Sequence, residues 1–171
     1  SPLMMFYGTS LPSFLERFEP LMHIGYLPDC ARLDLAMRRS YHAADSTHFD
    51  PAVLQNPDNG LDLIVTLAPA TRILTSPWPL FDIWKFNMVA GASKPQPVAQ
   101  DVLITRPEFD PMPHLLPIGA RRWFKHLDSG APLAEATERT LVEEPAFDLT
   151  QTLTLALSSN ALAKDTTKET E

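Results

Sequence analysis

Proline sets the first limit on this chain. It holds 17 prolines in 171 residues and only 6 glycines, about twice the usual ~5% share of proline. Each proline fixes φ, offers no N–H and breaks any helix or central strand that runs through it. Long uninterrupted elements are therefore excluded, and short helices and strands are expected, with prolines at their starts and in the turns between them. The sequence contains neither a GxGxxG nor a GxxxxGK[ST] pattern, so the common glycine loops that cradle phosphate are absent.

At 19.1 kDa the chain fits one ordinary domain or two small ones, with enough length for a real core. Hydrophobic residues make up 44%, which excludes wholesale disorder. Fourteen Lys and Arg stand against 21 Asp and Glu, a formal net charge of −7, which lacks the bulk electrostatic footprint of a nucleic-acid binder. Cys30 is the single cysteine, so neither an intrachain disulfide nor a cysteine-pair zinc site is available. No apolar run reaches the ~18 residues of a membrane span. The start, Ser1 to Tyr7, has no basic segment and too short an apolar run for a signal peptide. A cytoplasmic protein is expected, its first residue either an internal point of a longer one or the start of a trimmed chain.

Ser10 to Phe18 predicts a short helix, with Ser10 as cap and Pro12 in the first turn. Cys30, Leu33, Met37 and Tyr41 form one apolar stripe, which predicts a helix from Pro28 to Ala44. Residues 45–60 read as loop, with a helical turn at Pro51 to Gln55 and a strong turn at 56–60. Leu61 to Leu67 and Thr71 to Thr75 predict strands joined at Pro69. Pro79 to Asn87 favours a helical turn, because Phe81 and Trp84 are three apart. Residues 90–100 read as a linker. Beyond them, Asp101 to Thr105 predicts a strand and Phe109 to Leu116 an edge strand interrupted by Pro111 and Pro113. Three helices are expected next. The first, Ile118 to Leu127, stops at Gly130. The second opens at Pro132 with Leu133, Ala136, Thr140 and Leu141 inward, and the third is capped by Asp148 with Gln151 and carries a stripe of Leu149, Leu153 and Ala156 or Leu157. Residues 164–171 read as a disordered tail.

Several clusters carry chemistry by residue type. His42, Asp45, His48 and Asp50 could ligate a metal or do acid–base work, but their spacing fits no standard motif and suits hydrogen bonding at a helix end. Cys30 lies on an apolar stripe, where a buried, inert thiol is expected. No serine sits in a Gly-x-Ser-x-Gly elbow. Trp78, Phe81, Trp84 and Phe86 beside Lys85 form an aromatic cluster that reads first as core and second as an interface. Arg121, Arg122, Lys125 and His126 are the one compact basic stretch, either a solvated helix face or a contact for phosphate or an acidic peptide.

Three stretches taken in order resemble the HvfC/BufC-type family: Tyr7-Gly-x-x-Leu-Pro-Ser-Phe-Leu15; Ala31-Arg-Leu-Asp-Leu-Ala with Tyr41-His-Ala-Ala-Asp45; and Arg72-Ile-Leu-Thr-Ser-Pro-Trp-Pro-Leu-Phe-Asp-Ile-Trp84. The stretch from Asp101 to Leu162 is similar to that family's C-terminal domain, so the likeness covers nearly the whole chain. The family carries the label of a DNA-binding domain. That label belongs to an N-terminal helical domain, of which only the last helix, around Leu11 to Phe18, is expected here. Its members are partners of multinuclear non-haem iron oxidative enzymes, TIM-barrel proteins that modify cysteines in ribosomally made peptides. The resemblance implies an adaptor that recruits the precursor peptide, with no catalytic residue, cofactor or metal of its own.

The expected fold class is α+β. Residues 1–89 hold N-terminal helices with a small antiparallel sheet, 90–100 a linker, and 101–163 a winged-helix-like module similar to the PqqD type. By that likeness a leader peptide adds as a strand at His114, Leu115 and Leu116, with Leu153 and Leu157 of the last helix as its pocket. The enzyme partner is expected at Tyr41, His42, Asp45, Trp78 and Trp84. The alternative function is transcriptional regulation through DNA contacts from Arg121, Arg122 and Lys125.

Overall fold

The computed structural model describes residues 8–55 and 63–163. The expected turn at 56–60 and tail at 164–171 lie outside the described residues, as do Ser1 to Tyr7 and the first two residues of the expected strand at 61–67. The fold is α+β. Its helices are α1 Leu11–Leu15, α2 Leu27–Tyr41, α3 Leu80–Met88, α4 Ala120–Asp128, α5 Leu133–Glu143 and α6 Leu149–Ser158; its strands are β1 Thr66–Leu67, β2 Arg72–Ser76, β3 Gln100–Thr105, β4 Met112–Leu115 and β5 Leu162–Ala163.

Prolines start elements and do not interrupt them. Pro12 and Pro28 sit in the first turns of α1 and α2, and Pro20 in a 3₁₀ turn at Glu19–Leu21, where a missing N–H costs no helical bond. Pro69 occupies a turn closed by Thr71 N–H donating to Ala68 O at 2.8 Å, which feeds β1 into β2. Asp148 caps α6, its Oδ1 accepting from Gln151 N–H at 2.9 Å. Gly130, at φ +85°, follows the end of α4 in the left-handed conformation that stops a helix. Ser10 makes no side-chain cap bond; the start of α1 rests on Pro12 and on backbone bonds from Leu11 N–H to Gly8 O and from Phe14 N–H to Ser10 O.

β2, β3 and β4 form an antiparallel meander with β3 central, and β1 pairs with β5 in a separate two-stranded ladder. The larger sheet is covered on both faces. Val102 and Ile104 pack with Leu33, Ala36 and Leu80 of α2 and α3. Leu103, between them, packs with Trp123, Phe124, Ala136, Phe147 and Ala156 of the α4–α6 side. All three β3 residues are fully buried, so this strand reads as an unbroken apolar run and not as an alternation. Residues 90–100 carry the chain from the end of α3 to β3, and the sheet takes β2 from before them and β3 and β4 from after them.

Two expected inward positions face out. Tyr41 closes α2 at 52% exposure, because the apolar stripe of that helix ends at Met37 and Ser40 fills the last buried position. Leu141 is also exposed: Ala136 and Thr140 are the positions of α5 that meet the core.

Candidate functional site

The expected peptide edge is β4, an outer strand with no strand beyond it among the described residues. Its hydrogen-bond phase follows from one contact, Leu116 N–H donating to Asp101 O at 2.9 Å. With Leu103 opposite His114 and Thr105 opposite Met112, residues 112, 114 and 116 address β3. Pro111, Pro113 and Leu115 therefore turn their backbones outward. Both prolines fall where a missing N–H costs no ladder bond, which leaves Leu115 as the one outward donor on this edge.

The five expected peptide-binding residues divide. His114 is half-buried on the α4–α6 face, Leu115 is 43% exposed on the opposite one, and Leu116 is buried in the core. Leu153 and Leu157 pack partly buried against that same core. Burial holds the His114 imidazole below its ordinary value, and its Nε2 lies 3.1 Å from the fully buried Thr105 Oγ1. The sign of the linkage follows: a histidine held neutral in the native state takes up fewer protons than in the unfolded chain. Its stabilisation is complete above the unfolded value of about 6.5 and is lost as pH falls below it. A urea-unfolding series across this range should lose stability on acidification in the parent chain, and lose less of it in His114→Gln.

The basic stretch lies on α4, but its members point two ways. Arg121 Nε donates to Asp101 Oδ2 at 3.2 Å and Arg122 Nη1 to Glu143 Oε2 at 2.8 Å. Lys125 is exposed and makes no ion pair among the described residues. Arg121 and Lys125 share one cleft and Arg122 turns toward α5, so the three do not present one free cationic face.

The five expected partner residues form two patches. Trp78, 39% exposed, lies edge-on to Tyr26 and over Gly25, just before the start of α2. Trp84 is half-buried beside Phe81, ring centroids 5.9 Å apart, on the second core. Tyr41, His42 and Asp45 gather at the other end of α2, about 22 Å away at 1.5 Å per residue. There Tyr41 and Asp45 line a cleft of about 750 Å³ together with His48, Arg106, Phe109 and Asn160. Arg106, which no sequence pattern marks, organises that end. Its guanidinium donates to Tyr41 O at 2.6 Å, Ala44 O at 3.3 Å and Asp45 Oδ1 at 2.7 Å. These bonds satisfy carbonyls that the helix end leaves open.

Neither the metal reading nor the nucleophile reading gains support. Among the described residues no three His, Cys, Asp or Glu side chains converge on a point a metal could occupy. His42 stacks edge-on against Tyr41, with centroids 5.1 Å apart, and the backbone of His48 bridges to Ala163. The Cys30 thiol is pushed up by burial first, and then by the carboxylates of Asp34 and Asp29, which disfavours the thiolate. No helix among the described residues is long and apolar enough to cross a membrane. The chain matches no protein-family model, and a search of curated proteins finds no match to it.

Proposed function

We propose that this protein is a non-catalytic adaptor that takes an extended peptide segment onto its sheet. The observation that carries the reading is a three-stranded antiparallel sheet clamped between two helical layers, with no strand beyond either outer one among the described residues. Unpaired edge N–H and C=O groups bind a peptide as an added strand, and neighbouring side chains select which peptide. The order of elements supports a winged-helix-like module: β3 and β4 are followed directly by α4, α5 and α6, and β2, which precedes α3, completes the sheet. The resemblance to the HvfC/BufC-type family supplies the rest of the role. The peptide is a ribosomally made precursor, and the adaptor presents it to an iron-dependent TIM-barrel enzyme that contacts the surfaces around Trp78 and around Tyr41 to Asp45. Such a role belongs in the cytoplasm, where newly made peptides are first met.

The test is co-purification of the tagged full chain from its native cells, with and without nuclease, read by mass spectrometry and by iron content. A short peptide and an iron-bearing partner retained through nuclease treatment are expected. Nuclease-sensitive nucleic acid with no peptide would overturn the adaptor in favour of the DNA-contacting alternative. That alternative has the weaker footing, because two of its three cations are already paired with carboxylates.

A further inference from the structure

The second outer strand, β2, has a free side built differently from that of β4. On β3, residues 101, 103 and 105 address β4, so Gln100, Val102 and Ile104 address β2. Through the β2–β3 register, Ser76, Leu74 and Arg72 take the ladder bonds, and Ile73 and Thr75 turn N–H and C=O away from the sheet. Those outward groups meet no partner among the described residues. No proline interrupts the strand. The edge thus offers two donors and two acceptors, spaced one strand repeat of about 6.8 Å apart.

This edge forms the floor between two cationic walls. On the α4 side a cleft of about 560 Å³ is lined by Ile73 and Thr75 together with Arg121 and Lys125. On the α2 side a cleft of about 420 Å³ is lined by Arg32, Arg39 and Arg72 over Ile73 and Leu74. Arg32 is tied to Glu16 and Asp29, and Arg121 to Asp101. Arg72 donates to the carbonyls of Pro69 and Thr71 and meets no carboxylate among the described residues. Arg39 and Lys125 make no ion pair among the described residues. Among the described residues, positive charge without a paired acid therefore flanks both sides of one strand, with Asp128 the one acid lining either cleft, on a chain whose net charge is −7.

We propose that β2 is the docking strand and that its ligand is an extended acidic peptide. The peptide backbone pairs with Ile73 and Thr75. Its alternating side chains send carboxylates to Lys125 on one face and to Arg39 and Arg72 on the other. The inference rests on the adaptor reading and adds to it the edge that is used and the charge of what binds. Nucleic acid could meet the cations but would leave the strand's N–H and C=O groups unpaired, which favours a peptide.

The probe is a random dodecapeptide library displayed on phage, selected against the full chain and compared by fluorescence anisotropy with a DNA duplex. Selected peptides should be enriched in Asp and Glu. Thr75→Pro deletes one outward N–H and no ladder bond, and should weaken their binding about tenfold, the loss of one hydrogen bond. Arg39→Glu with Lys125→Glu alters only surface charge, and should abolish acidic-peptide binding while leaving the unfolding midpoint nearly unchanged. Leu115→Pro should bind as the parent does. Peptides that are not acidic, or binding lost in Leu115→Pro but kept in Thr75→Pro, would overturn the β2 assignment and leave the adaptor reading standing. Selection of no peptide, with or without duplex binding, would overturn both.

Discussion

Replacing Trp123 with alanine is expected to lower the unfolding free energy by about 4 kcal/mol, since Phe or Trp to Ala changes in packed cores cost about 3–5 kcal/mol. Trp123 is fully buried. Its ring meets Phe124 edge-on at 5.1 Å between centroids and Phe147 at 6.5 Å, so it joins α4 to the loop before α6. Its Nε1–H donates to Thr137 Oγ1 at 3.2 Å, and that hydroxyl donates to Leu133 O at 2.8 Å. Alanine leaves a cavity, and it takes away the donor that Thr137 accepts from. With total stabilities of about 5–15 kcal/mol for domains of this size, the urea midpoint should fall by a large fraction, or the variant should fail to accumulate. Trp123→Phe keeps most of the apolar volume and should retain most of the stability. A midpoint shift under about 1 kcal/mol for the alanine variant, the range of ordinary surface changes, would mean that this ring does not hold the α4–α6 layer together.

Gly119→Ala is expected to cost about 2–3 kcal/mol, the sum of a left-handed penalty of about 1–2 kcal/mol and an overpacking term. Gly119 precedes α4 at φ +78°. A Cβ there would lie 3.0 Å from Phe147 Cβ, 3.1 Å from Phe147 Cδ2 and 3.2 Å from Glu144 Cγ. Gly130 supplies the control at the other end of the same helix. It has φ +85° and nothing within 4 Å of an added Cβ, so Gly130→Ala carries the backbone penalty alone. Thermal unfolding of the two variants separates conformation from crowding. Equal losses would show that Phe147 and Glu144 move aside freely.

Local signals gave the elements; topology gave the site. The helices α2, α4, α5 and α6 were legible because each carries an apolar stripe together with a proline, glycine or aspartate at an end. Among the described residues the strand expected over 61–67 is β1, two residues long at its end, where it pairs with Leu162 and Ala163 of β5. The edge character of β4 could be read from Pro111 and Pro113. That of β2 could not: Arg72-Ile-Leu-Thr-Ser76 has the same alternation whether one side or both sides are paired. No local pattern relates Arg39 to Lys125, because they lie on helices more than eighty residues apart, and only the sheet brings their clefts to one strand. Arg106 is hidden for a similar reason, since its partners are backbone carbonyls, which leave no mark in side-chain patterns.

The ladder between β1 and β5 has a consequence in time. Thr66 faces Ala163 across 97 residues, and Ala161 O accepts from both Ala68 N–H and the Thr71 hydroxyl. A ribosome delivers the amino end first. The core under α2 and α3 has all its buried members once Thr105 has emerged, whereas the core under α4–α6 lacks Ala156, Ala161 and Leu162 until the chain is out to residue 163. During synthesis one side of β3 can therefore be sealed early while Leu103 on the other side still waits for cover. Contacts so distant along the chain close slowly, so the nascent protein holds a half-finished sandwich, with an apolar surface that chaperones can grip, for the whole interval in which its second layer is being made.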